Sequence, residues 1–217
     1  MTLLRTTLLA AGLLLAAGAA TGASATSVIV TDVETGNPDL GNVSVAGYGT
    51  PWTTPILMTE QGIGTAVVFC DDLNHTVNVG GPQALEYTVG LVTVDGTGKA
   101  LSEAVSNEMG QLADIGVFDY DHHNEDGAIA AQAAIWGIEY GVAVTSTDST
   151  IQHFINQDLT VKNNGKGFAT GLIGMDGQQS QITGGVPEPA AWAMMLMGFG
   201  GLGAAMRGAR RRQVLTA

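Results

Sequence analysis

The residue types best suited to chemistry are a single cysteine and a glutamine placed far from it in the chain. Cys70, the only cysteine among 217 residues, follows the apolar run Val67-Val-Phe69 and stands two residues before Asp72. Gln132 belongs to the stretch Ala131-Gln-Ala-Ala-Ile-Trp136. A thiolate is a nucleophile, whereas a buried unpaired thiol behaves as a small apolar group. Cys70 therefore has either a reactive or a purely structural role.

A second set of candidate residues is the acidic stretch Asp119-Tyr-Asp-His-His-Asn-Glu-Asp-Gly127. Carboxylate oxygens on a loop suit Ca²⁺, and the ligands would be Asp119, Asp121 and Asp126. The spacing departs from the calcium-loop pattern, because its sixth place is not a glycine and its twelfth is not a glutamate. We therefore expect a solvated acidic loop without metal, and interpret Asp71, Asp72 and His75 in the same way.

Composition and missing motifs exclude several classes of function. The sequence contains no G-x-S-x-G nucleophile elbow, no H-E-x-x-H zinc motif and no G-x-x-x-x-G-K phosphate loop. We therefore expect no turnover enzyme and no cofactor. The net charge of −12 at pH 7 disfavours binding to nucleic acid, because phosphate recognition needs Lys and Arg.

The pattern of residues predicts strands in the first half of the chain and helices in the second. Short β-branched runs between Gly, Pro, Asn and Asp are typical of strands. They occupy Val28–Val30, Val43–Val45, Thr65–Phe69 and Tyr87–Val94. Helical spacing extends from Leu101 to Ile115, a second helix is predicted at Ile129–Tyr140 before Gly141, and Asp148 is a candidate cap of a third. We expect a β-rich α+β fold, either a β-sandwich or a barrel with two or three helices.

The two ends of the chain have the composition of export signals. Arg5, the apolar run Leu8–Ala20 and the small-x-small pattern Ala23-Ser-Ala25 are typical of a signal peptide, here residues 1–25. Near the other end, Pro187, Glu188 and Pro189 precede an uncharged apolar run, residues 190–206, and then four arginines. These arginines are Arg207, Arg210, Arg211 and Arg212. The run reaches the minimum length of a transmembrane helix, and the arginines predict a cytoplasmic end.

This C-terminal order, at residues 186–212, resembles the PEP-CTERM sorting signal of Gram-negative bacteria. The resemblance implies an exosortase-type processing enzyme as a partner, and a setting of exopolysaccharide or biofilm production. The protein would be exported, tethered to the inner membrane by its C-terminal helix, and found at the cell surface or outside the cell after processing. Residues 26–162 would form the ectodomain. Residues 163–185, rich in Gly, Asn, Gln and Ser, would form a flexible linker.

A lone cysteine is unusual in an exported protein, because exported cysteines are normally paired in disulfides. The order Phe69-Cys70-x-Asp72, followed downstream by Gln132-Ala-Ala-Ile-Trp136, resembles the thioester domains of bacterial surface adhesins. In those domains a strand Cys and the Gln of a Gln-x-Ala-Ile-Trp motif form an internal thioester. The resemblance implies that Cys70 and Gln132 are the thioester pair, supported by Phe69, Asp72 and Trp136. The residue before the glutamine is commonly Thr in that family and is Ala here.

The implied chemistry requires no cofactor. Cys70 would attack the side-chain carboxamide of Gln132 and expel ammonia, and a surface amine or hydroxyl would later open the thioester. Trp136, four residues after Gln132 on one helical face, would cover the bond together with Phe69. Covalent adhesion is one hypothesis. The alternative is a passive structural or ligand-binding matrix protein in which Cys70 and Gln132 do not react.

Overall fold

The computed structural model describes residues 26–35, 42–62, 64–80, 82–175 and 177–184. The predicted signal peptide, residues 1–25, and the sorting signal with its predicted transmembrane helix, residues 186–212, lie outside these ranges. Within the ranges, no helix has the length and apolar character needed to cross a membrane.

A closed antiparallel barrel forms most of the β structure in the described residues. The strands are β1 (Thr26–Thr35), β2 (Val43–Val45), β3 (Ile56–Glu60), β4 (Gly64–Cys70), β5 (Pro82–Leu91), β6 (Val144–Ser146), β7 (Thr170–Gly174) and β8 (Gln181–Thr183). Around the barrel the order is β1-β3-β4-β8-β7-β5, while β2 and β6 pair separately. The β-rich fold is therefore confirmed, and of the two predicted architectures the barrel is the observed one.

Three helices are present in the described residues, and two of their ends have the capping residues that the sequence predicts. They are α1 (Glu103–Asp121), α2 (Glu125–Tyr140) and α3 (Ser149–Asp158). Asp148 accepts hydrogen bonds from Thr150 N and Ile151 N, which makes it the N-cap of α3. Gly141 follows α2 with a φ of 63°, a left-handed conformation that glycine adopts without steric cost.

Helix α2 lies between two apolar clusters and is buried on nearly every side. One cluster combines side chains of five barrel strands with Trp136 and Ala133 of α2. The other joins Phe69 of β4 and Leu112 of α1 to Ile135 of α2. A helix with apolar residues on every side must be covered by other elements on every side. The small alanine side chains of α2 let those elements pack closely against it. Burial on this scale fixes the position of α2 against the end of β4.

The predicted flexible linker is wrong at residues 170–174 and 181–183. These residues form β7 and β8, which close the barrel by pairing with β5 and β4. The glycines allow close approach of the strands: a Cβ on Gly171 would lie 2.5 Å from the Gln181 carbonyl oxygen. Leu172 and Ile182 supply buried side chains to the two clusters. The folded domain therefore continues beyond residue 162 to residue 184, the last one described.

Candidate functional site

Gln132 and Cys70 are in direct contact. Gln132 Oε1 accepts a hydrogen bond from Cys70 N at 2.7 Å, and Gln132 Nε2 donates to Cys70 O, also at 2.7 Å. The ladder between β3 and β4 ends at the Ile56–Val68 pair, so the Cys70 backbone lies beyond the last strand pairing on that side. The carboxamide of Gln132 replaces the missing strand. The fold thus joins the two residues that the sequence motif pairs.

The Cys70 thiol is held by the backbone that follows it. Sγ donates a hydrogen bond to Asp72 O at 3.1 Å and accepts one from Asp72 N at 3.4 Å. The Cys70 N–H, in turn, polarises the Gln132 carbonyl and would stabilise negative charge on Oε1 during attack by a thiol. Cys70 therefore holds the Gln132 carboxamide through its backbone, while its thiol is bonded to the Asp72 backbone.

The surroundings of Cys70 keep its thiol protonated. Burial raises the pKa of the thiol well above its usual range, and the carboxyl groups of Asp71 and Glu139 raise it further. The Asp72 backbone and the Trp136 side chain act in the opposite direction. Since the free thiolate is disfavoured, an attack by Sγ must be accompanied by transfer of the thiol proton.

Two buried carboxyl groups near Cys70 are also held neutral. Burial, followed by the charge of Asp72, raises the pKa of Asp71 to about 8. Burial, followed by the charges of Asp71 and Asp95, raises the pKa of Glu139 to about 10. Burial thus favours the protonated form of both side chains, more strongly for Glu139 than for Asp71. The expectation that Asp71 and Asp72 are solvated is wrong, because both residues are buried at the start of the loop after β4.

Trp136 packs in the same apolar cluster as Cys70, whereas Phe69 packs in the other cluster. Trp136 is 1% exposed and belongs to the same apolar cluster as Cys70. Phe69 belongs to the other cluster and packs so closely on α1 that a Cβ at Gly116 would lie 2.4 Å from its ring. Successive residues of a strand point to opposite faces, which separates Phe69 from Cys70. The prediction that Phe69 helps to cover the bond is wrong.

A cleft of about 560 Å³ leads from the surface to Cys70 and Trp136. Its walls include Trp52, Leu73, His75 and further apolar or neutral polar side chains. Among the described residues that line it, none is Asp, Glu, Lys or Arg. An uncharged small group can therefore approach the sulfur without meeting a fixed charge.

In the loop after β4, the predicted site residue Asp72 and its neighbours contact polar side chains that the sequence did not assign to the site. Asp72 Oδ2 lies 2.6 Å from His75 Nδ1, and Gln179 Nε2 donates to Asp72 O and His75 O, each at 2.9 Å. Tyr140 Oη accepts from Leu73 N at 3.1 Å. The spacing Asp-x-x-His was a visible signal for the first contact. Gln179 had none, because it comes from the turn between β7 and β8.

The acidic stretch is mostly helical, because Asp119 and Asp121 end α1 and Asp126 belongs to α2. The expectation of a loop is therefore wrong except at residues 122–124. Asp119 Oδ1 accepts a hydrogen bond from Asn124 Nδ2 at 3.0 Å, and Asn124 caps α2 by accepting from Gly127 N. Asp121 is exposed and Asp126 lies in the first turn of α2. In the part of the chain that the structure describes, no three His, Cys, Asp or Glu side chains are grouped so that they could hold a metal ion.

Comparison with known proteins gives information on the C-terminal segment. No curated protein and no solved structure matches the chain significantly. One family model does match: residues 185–212 fit the PEP-CTERM protein-sorting motif. This segment contains all seven residues predicted for the signal, from Pro187 to Arg212. The motif implies an exported protein that an exosortase sorts at the membrane.

Proposed function

We propose that this exported protein attaches covalently to a surface or matrix molecule through an internal thioester between Cys70 and Gln132. The observation that carries the proposal is the pair of 2.7 Å hydrogen bonds that binds the Gln132 carboxamide to the Cys70 backbone. These bonds fix a buried carboxamide beside the residue that carries a buried thiol, and such fixed proximity favours acyl transfer between the two.

Formation of the bond balances without a cofactor. Cys70 Sγ attacks Gln132 Cδ, the C–N bond breaks, and the thiol proton leaves with the nitrogen as ammonia. The Cys70 N–H supports the transient negative charge on Oε1. Because the thiol is protonated in the folded protein, transfer of its proton to the departing nitrogen is part of the same step.

Burial would preserve the bond until an acceptor arrives. Gln132 is completely buried and Trp136 is 1% exposed, so the carboxamide carbon is shielded from bulk water. Replacement of water by apolar surface slows hydrolysis of a reactive intermediate. The acceptor would then receive the Gln132 acyl group, and Cys70 would become a free thiol.

A passive matrix protein is the second candidate function. The same hydrogen bonds favour it, because a buried glutamine that satisfies a strand end stabilises the fold without reacting. In that case the cleft would bind a ligand reversibly or remain an incidental surface feature. The two candidates differ in the covalent state of Cys70.

Intact mass of the exported protein distinguishes the two. The thioester predicts a mass one ammonia below the sequence value, and addition of methylamine to Gln132 with release of the Cys70 thiol. Cys70→Ala and Gln132→Ala should abolish both effects, while the control Gln152→Ala, on α3, should retain them. Only loss of ammonia that depends on Cys70 counts, because Asn164-Gly165 can lose ammonia by itself. A freely titratable thiol and a full mass in freshly isolated protein would leave the passive function.

A further inference from the structure

His75 and Asp72 form a dyad beside the cleft that reaches Cys70. His75 Nδ1 lies 2.6 Å from Asp72 Oδ2; the Asp72 side chain is 5% exposed and that of His75 is 44% exposed. In a neutral ring, a carboxylate partner at Nδ1 selects the tautomer with the proton on Nδ1 and the lone pair on Nε2. Because His75 lines the cleft, Nε2 is the ring nitrogen left for an incoming molecule.

The dyad is fixed by the backbone around it. Asp72 Oδ1 accepts hydrogen bonds from Asn74 N at 2.8 Å and from His75 N at 3.1 Å. Gln179 fastens the same loop from the other side through the carbonyl oxygens of Asp72 and His75. Asp72 also contacts the Cys70 thiol through its backbone. One short hydrogen-bonded segment therefore carries both the His75 ring and the Cys70 sulfur, and both residues line the same cleft.

The walls of the cleft favour a neutral acceptor. The described lining offers no carboxylate that would attract an ammonium group, and its polar members include Thr54, Asn78 and Gln179. Trp52, at the same cleft, is 63% exposed and presents a flat apolar face to solvent. An uncharged molecule with hydroxyl groups and an apolar face, such as a sugar, matches these walls.

We propose that His75 is the general base that activates a hydroxyl acceptor at this site, with Asp72 as its positioning residue. The inference rests on the proposed function, since it needs the Cys70–Gln132 thioester. A hydroxyl is a weak nucleophile at neutral pH and needs a base, whereas the free form of an amine does not. The dyad thus selects hydroxyl chemistry in a cleft that an amine could also enter.

The proposed transfer balances in atoms and charge. His75 Nε2 takes the proton of the acceptor hydroxyl while its oxygen attacks Gln132 Cδ. The C–S bond then breaks, and the departing sulfur of Cys70 takes the proton from His75. The products are an ester between Gln132 and the acceptor and a free Cys70 thiol, with no change of oxidation state.

The reaction rates with two probe nucleophiles, measured separately, test the inference. Exported protein is incubated with glycerol or with methylamine, and formation of each adduct is followed by intact mass. His75→Gln should slow the glycerol reaction at least about 100-fold and the methylamine reaction less than about threefold. Asp72→Asn keeps an acceptor for the two loop N–H groups, and should likewise slow glycerol more than methylamine. The control His153→Gln, at an exposed position of α3, should change neither rate.

The outcomes separate the two proposals. If wild-type protein shows the mass deficit and reacts with methylamine, but His75→Gln slows both probes equally or leaves the glycerol rate unchanged, His75 is not the base and only this inference fails. If the wild-type protein forms no glycerol adduct, the inference about His75 likewise fails and the thioester proposal stands. Absence of the mass deficit itself overturns the thioester and the inference together.

Discussion

Replacement of Glu139 by glutamine should stabilise the domain at neutral pH. Glu139 lies in the last turn of α2 and is 5% exposed, and a backbone hydrogen bond from Gly96 only partly offsets the effect of burial on its pKa. Burial and the neighbouring acidic groups raise its pKa from 4.5 to about 10. The folded protein must therefore hold this group neutral at a pH where the unfolded chain ionises it.

The size of the effect follows from the pKa difference. At a pH below the pKa of Glu139 in the unfolded chain, the side chain is protonated in both states and its ionisation does not affect stability. As the pH rises from there towards the pKa in the folded protein, the free energy of unfolding falls by about 1.4 kcal/mol per pH unit. At pH 7 the loss is about 3 kcal/mol. Glutamine has nearly the shape of the protonated acid and does not ionise. We expect Glu139→Gln to be about 2–3 kcal/mol more stable than the wild type at pH 7 and nearly equal to it at pH 4.

Urea denaturation at pH 4 and pH 7, followed by tryptophan fluorescence, measures this difference. The control is Glu103→Gln, at an exposed position in the first turn of α1, which removes a carboxylate without changing burial. Its stability should differ little from that of the wild type at either pH. A Glu139→Gln variant that is destabilised at pH 7, or shifted equally at both pH values, would refute a buried neutral carboxyl at this position.

Three further predictions concern packing, protection of the bond and sorting. Gly116→Ala should destabilise the domain by about 1–3 kcal/mol in urea denaturation, because the new Cβ would collide with the Phe69 ring. The control Gly90→Ala should destabilise it less, because its Cβ would lie 3.6 Å from the nearest atom, on Ile173. Trp136→Ala should shorten the lifetime of the thioester, measured as recovery of the full mass in water; an unchanged lifetime would show that the indole does not protect it. Neutral replacements of the four C-terminal arginines should impair sorting, measured by the membrane and extracellular fractions of the protein, and normal processing of that variant would contradict the role of the basic segment.

Local signals in the sequence were sufficient where neighbours in the chain decide the structure. The N-cap at Asp148 and the stop at Gly141 depend on contacts within a few residues, so both helix boundaries were predictable. The β-branched runs likewise marked three of the six barrel strands, β1, β4 and β5, together with the separate strand β2. The sorting motif is read directly from residue order, which is why its residues were identified without any structure. A motif predicted that Cys70 pairs with Gln132. The structure adds the contact itself, two hydrogen bonds between the Gln132 side chain and the Cys70 backbone.

Tertiary structure alone decided the features that depend on distant partners. Residues 170–174 and 181–183 have a linker's composition and become strands because β5 and β4 offer them open edges. The neutral state of Glu139 depends on acidic groups that the fold gathers from separate segments. Gln179 reaches Asp72 and His75 across 107 and 104 positions. Such contacts stabilise only after the barrel has closed, so no stretch of sequence carries their signal by itself.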